Sequence, residues 1–374
     1  MKVKALSLGI IGIIVLIVII FFAVFLLQSP IGEKVYKIGA IVPLTGPGAT
    51  LGVPFANGMS LAVEEINQLG GVNSYKVEIL FEDSKLEGKA SADSANYLLN
   101  VENPDVFSVM FHLPAQSVSP ILMEARKPVV YEAYTRSILE SNPYSFKADF
   151  DSLTGCEELI RYAKEKEKYY NLGVLMSRVE YNELCLEGIK KIEPNVKEYW
   201  YTFGEKDFRT LLTKANEENV DALVTIGIDF EYINMFKQLT ELNYPIKMIC
   251  AIASECIFPG VIQESSPEVL NGTISIDFVP TNISETEFAE KYSNKYPNPS
   301  FTDYAWGAIG YEEIQYITEA MKKCEPGNSD CLTEELKKVK DYKTVINTKG
   351  FKNRVLQLTT KIYEFKDNEW RPVK

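Results

Sequence analysis

The chain has 374 residues, 46% hydrophobic and 24% charged, which is the balance of a globular protein too long for one ordinary core. Its formal net charge is −12, and no basic stripe offsets that repulsion from phosphates, so nucleic-acid partners are excluded. There is a single histidine, His112, and no G-x-S-x-G, H-E-x-x-H or G-x-x-x-x-G-K-[ST] motif, which argues against hydrolytic, zinc-dependent and nucleotide-driven catalysis.

Lys2 and Lys4 precede an uncharged run over residues 5–27. As a helix this run spans about 35 Å, enough for a hydrocarbon core of about 30 Å. No small-residue cleavage site and no cysteine follow it. The run therefore reads as an uncleaved membrane anchor with Lys2 and Lys4 inside and the rest of the chain outside the cell. A cleaved signal peptide is the alternative. Residues 28–34 read as a tether.

Residues 38–42 form an apolar strand that meets Pro43 and the turn Thr45-Gly46-Pro47-Gly48. Phe55, Met59, Ala62, Val63 and Ile66 then recur near helical spacing, with Glu64, Glu65 and Asn67 off that stripe. Gly70-Gly71 ends the helix. Val77, Ile79 and Phe81 alternate with their neighbours as a second strand does. This is a right-handed βαβ unit whose ligand edge lies at the strand C-terminus. The turn lacks G-x-G-x-x-G in register, so its glycines read as shaping a tight turn rather than holding a phosphate.

The alternation continues with helix 89–100, strand 106–110, helix 117–125, strand 129–131 and a short strand, 145–150. A new series starts near Asp151, with helix 156–166, strand 172–176, helix 183–192 and strand 196–201. Helix 208–217, strand 222–228, helix 232–242 and strand 247–251 follow. Such alternation means α/β architecture with parallel sheets covered by helices. The end breaks the pattern. Helices 288–295 and 304–323 are consecutive, a short helix 333–340 follows, and 355–358 with 361–365 read as a terminal antiparallel pair.

The six cysteines fall in near pairs, Cys156/Cys185, Cys250/Cys256 and Cys324/Cys331. An even count in an exported chain suggests disulfides. Cys324 and Cys331 flank a turn-rich loop and form the strongest candidate pair; for the other two pairs free buried thiols are the alternative. The spacing suits no zinc site.

The opening pattern I-G-x-x-x-P-L-T-G, followed by L-A-V-x-x-I-N-x-x-G-G, resembles the extracytoplasmic solute-binding proteins of branched-chain amino acid transporters. Gly204-Glu-Lys-Asp-Phe-Arg-Thr-Leu-Leu212 with Asn219-Val-Asp221 resembles a second segment of that family. Tyr363-Glu-Phe365 with Trp370 is a weaker match. The resemblance implies a type I periplasmic-binding fold: two Rossmann-like lobes with parallel-sheet cores, joined by three crossover segments. These are expected near Asp151, Ser275 and Asn347. Lobe one then comprises 35–150 plus 276–346, and lobe two 151–275 plus 347–374.

Ligands in such sheets sit outside the carboxyl ends of the strands. The segment Phe111–Ser117 leads into a helix N-terminus, which suits a carboxylate. The loop Glu132-Ala133-Tyr134-Thr135 follows the next strand. The resemblance implies that these two segments grip an α-carboxylate and an α-ammonium, with Ala133 offering a carbonyl and Thr135 a hydroxyl, beside Tyr134. His112 stands where the family usually has a serine; it either donates to an anion or caps the loop while Gln116 or Ser117 serves. Lobe two is expected to supply Asp151, Tyr181, Asp229 and Glu255. The position of the family's ammonium-binding acid falls on Ile252, so Glu255 or Asp229 would replace it.

The resulting expectation is a binding protein, not an enzyme, that needs no cofactor. It would capture an amino-acid-like or amide-like solute by hinge closure and hand it to the membrane permease of an ABC importer. A membrane-anchored sensor is the main alternative, and an enzyme on the same scaffold the third.

Overall fold

The computed structural model describes residues 35–134, 136–340, 342, 344–346 and 348–373. The expected anchor and tether, residues 1–34, lie outside the described residues, as does Thr135. Among the described residues no helix is long and apolar enough to cross a membrane.

In the first lobe the chain runs β1 (Tyr36–Val42), α1 (Ala49–Gln68), β2 (Val77–Asp83), α2 (Gly88–Tyr97), β3 (Val106–Met110), α3 (His112–Glu124), β4 (Val129–Glu132), α4 (Ser137–Ser141) and β5 (Ser145–Lys147). The second lobe contains α5 (Ser152–Glu165), β6 (Leu172–Ser177), α6 (Glu180–Lys190), β7 (Lys197–Tyr201), α7 (Arg209–Glu217), β8 (Ala222–Thr225), α8 (Asp229–Leu242) and β9 (Lys247–Cys250). Three short helices, α9 (Ala253–Cys256), α10 (Pro259–Glu264) and α11 (Pro267–Leu270), lead to β10 (Thr273–Asp277). The chain then returns to the first lobe as α12 (Glu287–Lys295), α13 (Phe301–Met321), α14 (Ser329–Leu336), β11 (Phe351–Lys352) and β12 (Val355–Leu356). It ends in the second lobe as β13 (Lys361–Lys366) and β14 (Glu369–Pro372).

Each lobe is built on one seven-stranded sheet, ordered β11-β12-β5-β4-β3-β1-β2 in the first and β14-β13-β10-β9-β8-β6-β7 in the second. The central pairings are parallel, and antiparallel strands occur only at one edge of each sheet. Every residue of β3, β4, β6 and β8 is buried, as expected for strands covered by helices on both faces. Helix α1 follows a left-handed Gly48, φ +79°. It crosses α13 so closely that a Cβ on Gly58 would collide with the carbonyl of Gly307, and one on Gly310 with that of Phe55.

Two expectations are corrected. The segments 355–358 and 361–365 do not pair with each other. Val355 and Leu356 pair with Phe351 and Lys352, and Val355 sits beside Lys147 of β5; β13 instead lies between β10 and β14. Residues 351–356 thus lie in the first sheet and residues 361–372 in the second. The helix expected at 117–125 starts at His112. Pro114, which reads as a loop residue, sits in the first turn, where its missing N–H costs no helical hydrogen bond.

All three cysteine pairs are disulfides. Cys156–Cys185 ties α5 to α6, Cys250–Cys256 closes the loop after β9, and Cys324–Cys331 closes the loop between α13 and α14, with Cα separations of 5.3, 6.0 and 5.8 Å.

Candidate functional site

The carboxyl ends of the strands in both lobes face a shared cavity of about 30 Å³. Its walls come from the segments after β3, β4 and β5 on one side and after β6, β7, β8 and β9 on the other. The strand ends are where backbone groups leave the sheet ladder, so side chains there can point at a ligand without disturbing the core.

The turn from β3 into α3 is abrupt. Phe111 adopts φ +72° and ψ 154°, a conformation that L-residues rarely hold, and its N–H donates to the Glu132 carbonyl at 2.8 Å. That bond fixes the end of β3 against the end of β4. It leaves His112 as the first helical residue, aimed across the cleft. The His112 ring packs edge-on to Tyr181 at 5.8 Å, and its Nε2 lies 3.5 Å from the Glu180 carboxylate. Burial pulls the imidazole pKa below its ordinary value, with Glu180 opposing. A neutral His112 offers one donor and one acceptor.

Three carboxyl side chains line the same cavity: Glu132, Asp149 and Glu255, all nearly fully buried. Burial raises the pKa of each; next in weight, Glu313 raises Glu132 further and Asp149 raises Glu255 further. Asp149 is pushed up to about 6 by burial, against the pull of Lys147. The Glu132 carboxyl faces that of Glu313 on α13 without meeting hydrogen-bond geometry. The nearby ammonium of Lys147 is fully buried and directed elsewhere: it donates to the backbone carbonyls of Asp149 and Phe150. Asp149 accepts the Phe150 N–H at 2.6 Å.

In the second lobe, Glu231 of α8 accepts from the Ile228 N–H at 3.2 Å, the Gly204 N–H at 3.1 Å and the Tyr201 hydroxyl at 3.1 Å. This single carboxylate fixes two adjacent loops and so presents Phe203, Gly227 and Ile228 to the cavity. Glu255 is held in a similar way. Its short helix follows β9, is clamped by Cys250–Cys256, and is anchored by Asp277, which accepts the N–H groups of Ser254 at 2.8 Å and Val279 at 2.9 Å. Tyr134 reaches from the first lobe to donate to the Glu255 carboxyl, and its ring meets Tyr181 edge-on at 5.5 Å.

Of the residues singled out from sequence, His112, Ala133, Tyr134, Tyr181 and Glu255 meet in this cavity. Gln116, Asp151 and Asp229 do not. Gln116 lies on α3 rather than in a loop and reaches Glu180 at 3.5 Å on the rim. Asp151 caps α5, accepting from the Thr154 N–H at 3.2 Å, and pairs with Arg136 at 2.6 Å. Asp229, the first residue of α8, accepts from the Thr50 hydroxyl at 3.1 Å and the Gly48 N–H at 3.4 Å. It bridges the two lobes outside the cavity. Glu132 and Asp149 are acids that the sequence reading passed over. Glu132 is the last residue of β4 and Asp149 follows β5 by two residues, so strand-end position is the signal that could have found them.

The chain was compared with known proteins. It is 22% identical over 324 residues to the Leu/Ile/Val-binding protein homolog 1 of Brucella suis, covering 83% of this chain and 84% of that one. It is 28% identical over 213 residues to the Leu/Ile/Val-binding protein of Escherichia coli, covering 54% and 57%. The branched-chain amino acid transporter substrate-binding protein of Streptococcus pneumoniae, solved with isoleucine, superposes with a TM-score of 0.81 at 20% identity over 91% of this chain and all of that one. An ABC-transporter solute-binding protein of Rhodopseudomonas palustris, solved with 3,4-dihydroxybenzoic acid, superposes with a TM-score of 0.78 at 20% identity, covering 91% and 96%. At these identities the superpositions establish the fold and leave the ligand open. The model of the periplasmic binding protein family matches residues 35–367, nearly the whole of both lobes, and the chain belongs to that family.

Proposed function

We propose that this protein is an extracytoplasmic substrate-binding protein that captures an amino acid or similar small polar solute between its lobes and delivers it to the permease of an ABC importer. The observation that carries the reading is the cavity itself, closed by both lobes at their strand ends and lined by His112, Tyr134, Tyr181 and Glu255. Both lobes wall this cavity, so capture and release are read as hinge motion about the segments that join them. Apolar walls with a few convergent polar groups suit a small ligand held by orientation rather than by reaction. Thr135 belongs to this proposal as a ligand-contacting hydroxyl. Residues 5–27 belong to it as the membrane anchor, which mass measurement of the mature N-terminus tests.

The test of binding is a thermal-shift screen of amino acids, amides and small carboxylates on the purified protein. One chemical class should raise the Tm, and the recovered solute should be chemically unchanged. A solute that is turned over by the protein would sink the proposal.

A further inference from the structure

Resting on the binding-protein reading above, we infer that this cleft is built for a solute of net positive charge: an aliphatic amine, such as a diamine or a basic amino acid, with an ammonium group seated among Glu132, Asp149 and Glu255.

The lining holds these three carboxyl side chains and no lysine or arginine among the described residues. Glu132 and Asp149 come from the first lobe and Glu255 from the second, so closure brings the acids together. Each is more than nine-tenths buried, and Glu132 has Glu313 of α13, another carboxyl, as its neighbour on the side away from the lining. Buried carboxyls gathered at one cavity with no cation in its lining are costly to ionise, and a ligand ammonium supplies the charge they lack. The cation closest to hand, Lys147, is committed to two backbone carbonyls and does not enter the lining. An anion would meet three carboxyls, and the donors it would find, His112, the Tyr134 and Tyr181 hydroxyls and the first-turn amides of α3, carry no full positive charge. The remaining walls, Leu86, Phe111, Val179, Phe203 and Ile228, are apolar and suit a methylene stem.

The electrostatics run the same way. Burial, and after it the repulsion of neighbouring carboxyls, raises Glu132 and Glu255 above their ordinary values, and burial brings Asp149 to about 6. A bound ammonium would let them ionise, and an ammonium–carboxylate hydrogen bond is about twice as strong as a neutral one.

The experiment is titration calorimetry with matched solutes: lysine, ornithine and putrescine against leucine, glutamine, glutamate and benzoate. The expected result is saturable binding by the positively charged set and at least 10-fold weaker binding by leucine and glutamate. In the Glu132→Gln, Asp149→Asn and Glu255→Gln variants, affinity for the cation should fall about 10- to 100-fold. Each swap is isosteric and removes a buried ionisable group, so folding is not at risk; circular dichroism melts check this. Binding of leucine, glutamate or benzoate in preference to the amines would overturn the charge inference and leave the binding-protein reading standing. Silence from every solute would overturn both.

Discussion

Tyr134 on the first lobe donates its phenolic hydrogen to Glu255 on the second, and this bond crosses the cleft at its centre. The Tyr134 ring is held edge-on by Phe150 at 6.0 Å and Tyr181 at 5.5 Å. The hydroxyl therefore has one geometry available when the lobes meet. Tyr134→Phe keeps the ring packing and removes the donor. Glu255 then lacks that partner in the closed form but can take water in the open one, so closure should weaken by about 1–3 kcal/mol. Small-angle scattering should show a larger radius of gyration for the ligand-free variant than for the parent. An unchanged scattering profile would mean that the bond does not govern the closed state.

The buried acids make an unusual pH profile. Burial raises the folded pKa of Glu132, Glu255 and Asp277, brings Asp149 to about 6, and brings Glu313 to about 7. Unfolded carboxyls titrate near 4. Between about pH 4 and 7 the native state therefore binds more protons than the unfolded chain, and stability falls as pH rises through that window. His112 acts oppositely, since its lowered pKa favours the unfolded state as pH drops. Lys147, lowered to about 8, is charged in both states throughout the window and adds no slope there. Asp105 and Glu231 are raised as well, while Asp83, Asp151 and Glu198 are lowered and act with His112; the fully buried raised acids carry the balance. The Tm of the ligand-free protein should be higher at pH 5.5 than at pH 7, and Glu132→Gln should flatten the difference. A Tm that declines steadily on acidification from pH 7 would contradict the balance of charges described here.

The alternation of strands and helices and the glycine turn at Gly46 and Gly48 were legible in the chain, because hydrophobic periodicity and strand–helix order are local properties; the two-lobed plan with a discontinuous chain followed from the family resemblance. The site was only partly legible. Tyr134 and Glu255 lie where strand ends fall, and strand ends can be found from periodicity. Burial of a carboxyl cannot be read that way: Glu132 and Asp149 look like ordinary surface acids until the fold sets Glu132 against Glu313 and Asp149 beside Lys147. Asp229 shows the converse, an acid at a strand end that faces Thr50 of the other lobe and not the cavity. Segments 355–358 and 361–365 look like a hairpin because only a short polar stretch separates them. That stretch is a crossover, and only the partners of each strand, Lys147 for one and β10 for the other, reveal it.

The contact of α1 with α13 gives a prediction about stability alone. Gly58 and Gly310 let the two helix backbones touch, and neither lies in the cavity lining. An added methyl at either position pushes on a backbone carbonyl, which cannot move aside as a side chain can. Gly58→Ala should cost about 1–3 kcal/mol through overpacking, despite the better helix propensity of alanine. Urea denaturation should show a lower midpoint, while ligand affinity of the folded variant stays within about twofold. A neutral or stabilising result would mean that the helices can separate without loss.

The disulfides should differ in weight according to the length of chain that they close. Cys156 and Cys185 are separated by 29 positions, and Cys324 and Cys331 by 7. Loop-closure entropy gives about 3.5 kcal/mol for the longer loop and about 2.5 kcal/mol for the shorter. The longer link also joins α5 and α6, the pair that carries Asp151 at one crossover and Tyr181 at the cleft wall. Replacing Cys156 and Cys185 together by alanine should therefore lower the unfolding free energy by about 1 kcal/mol more than replacing Cys324 and Cys331. It should also weaken ligand binding, because Tyr181 loses a covalent brace one turn away. The Cys324/Cys331 double variant should bind as the parent does, since that loop packs on Tyr36 and Asp105 at the amino ends of β1 and β3, the end of the sheet away from the cavity. Chemical denaturation and calorimetry on the two double variants test both parts. Equal losses of stability, with affinity untouched in each, would show that neither loop entropy nor bracing of α6 sets the role of these links.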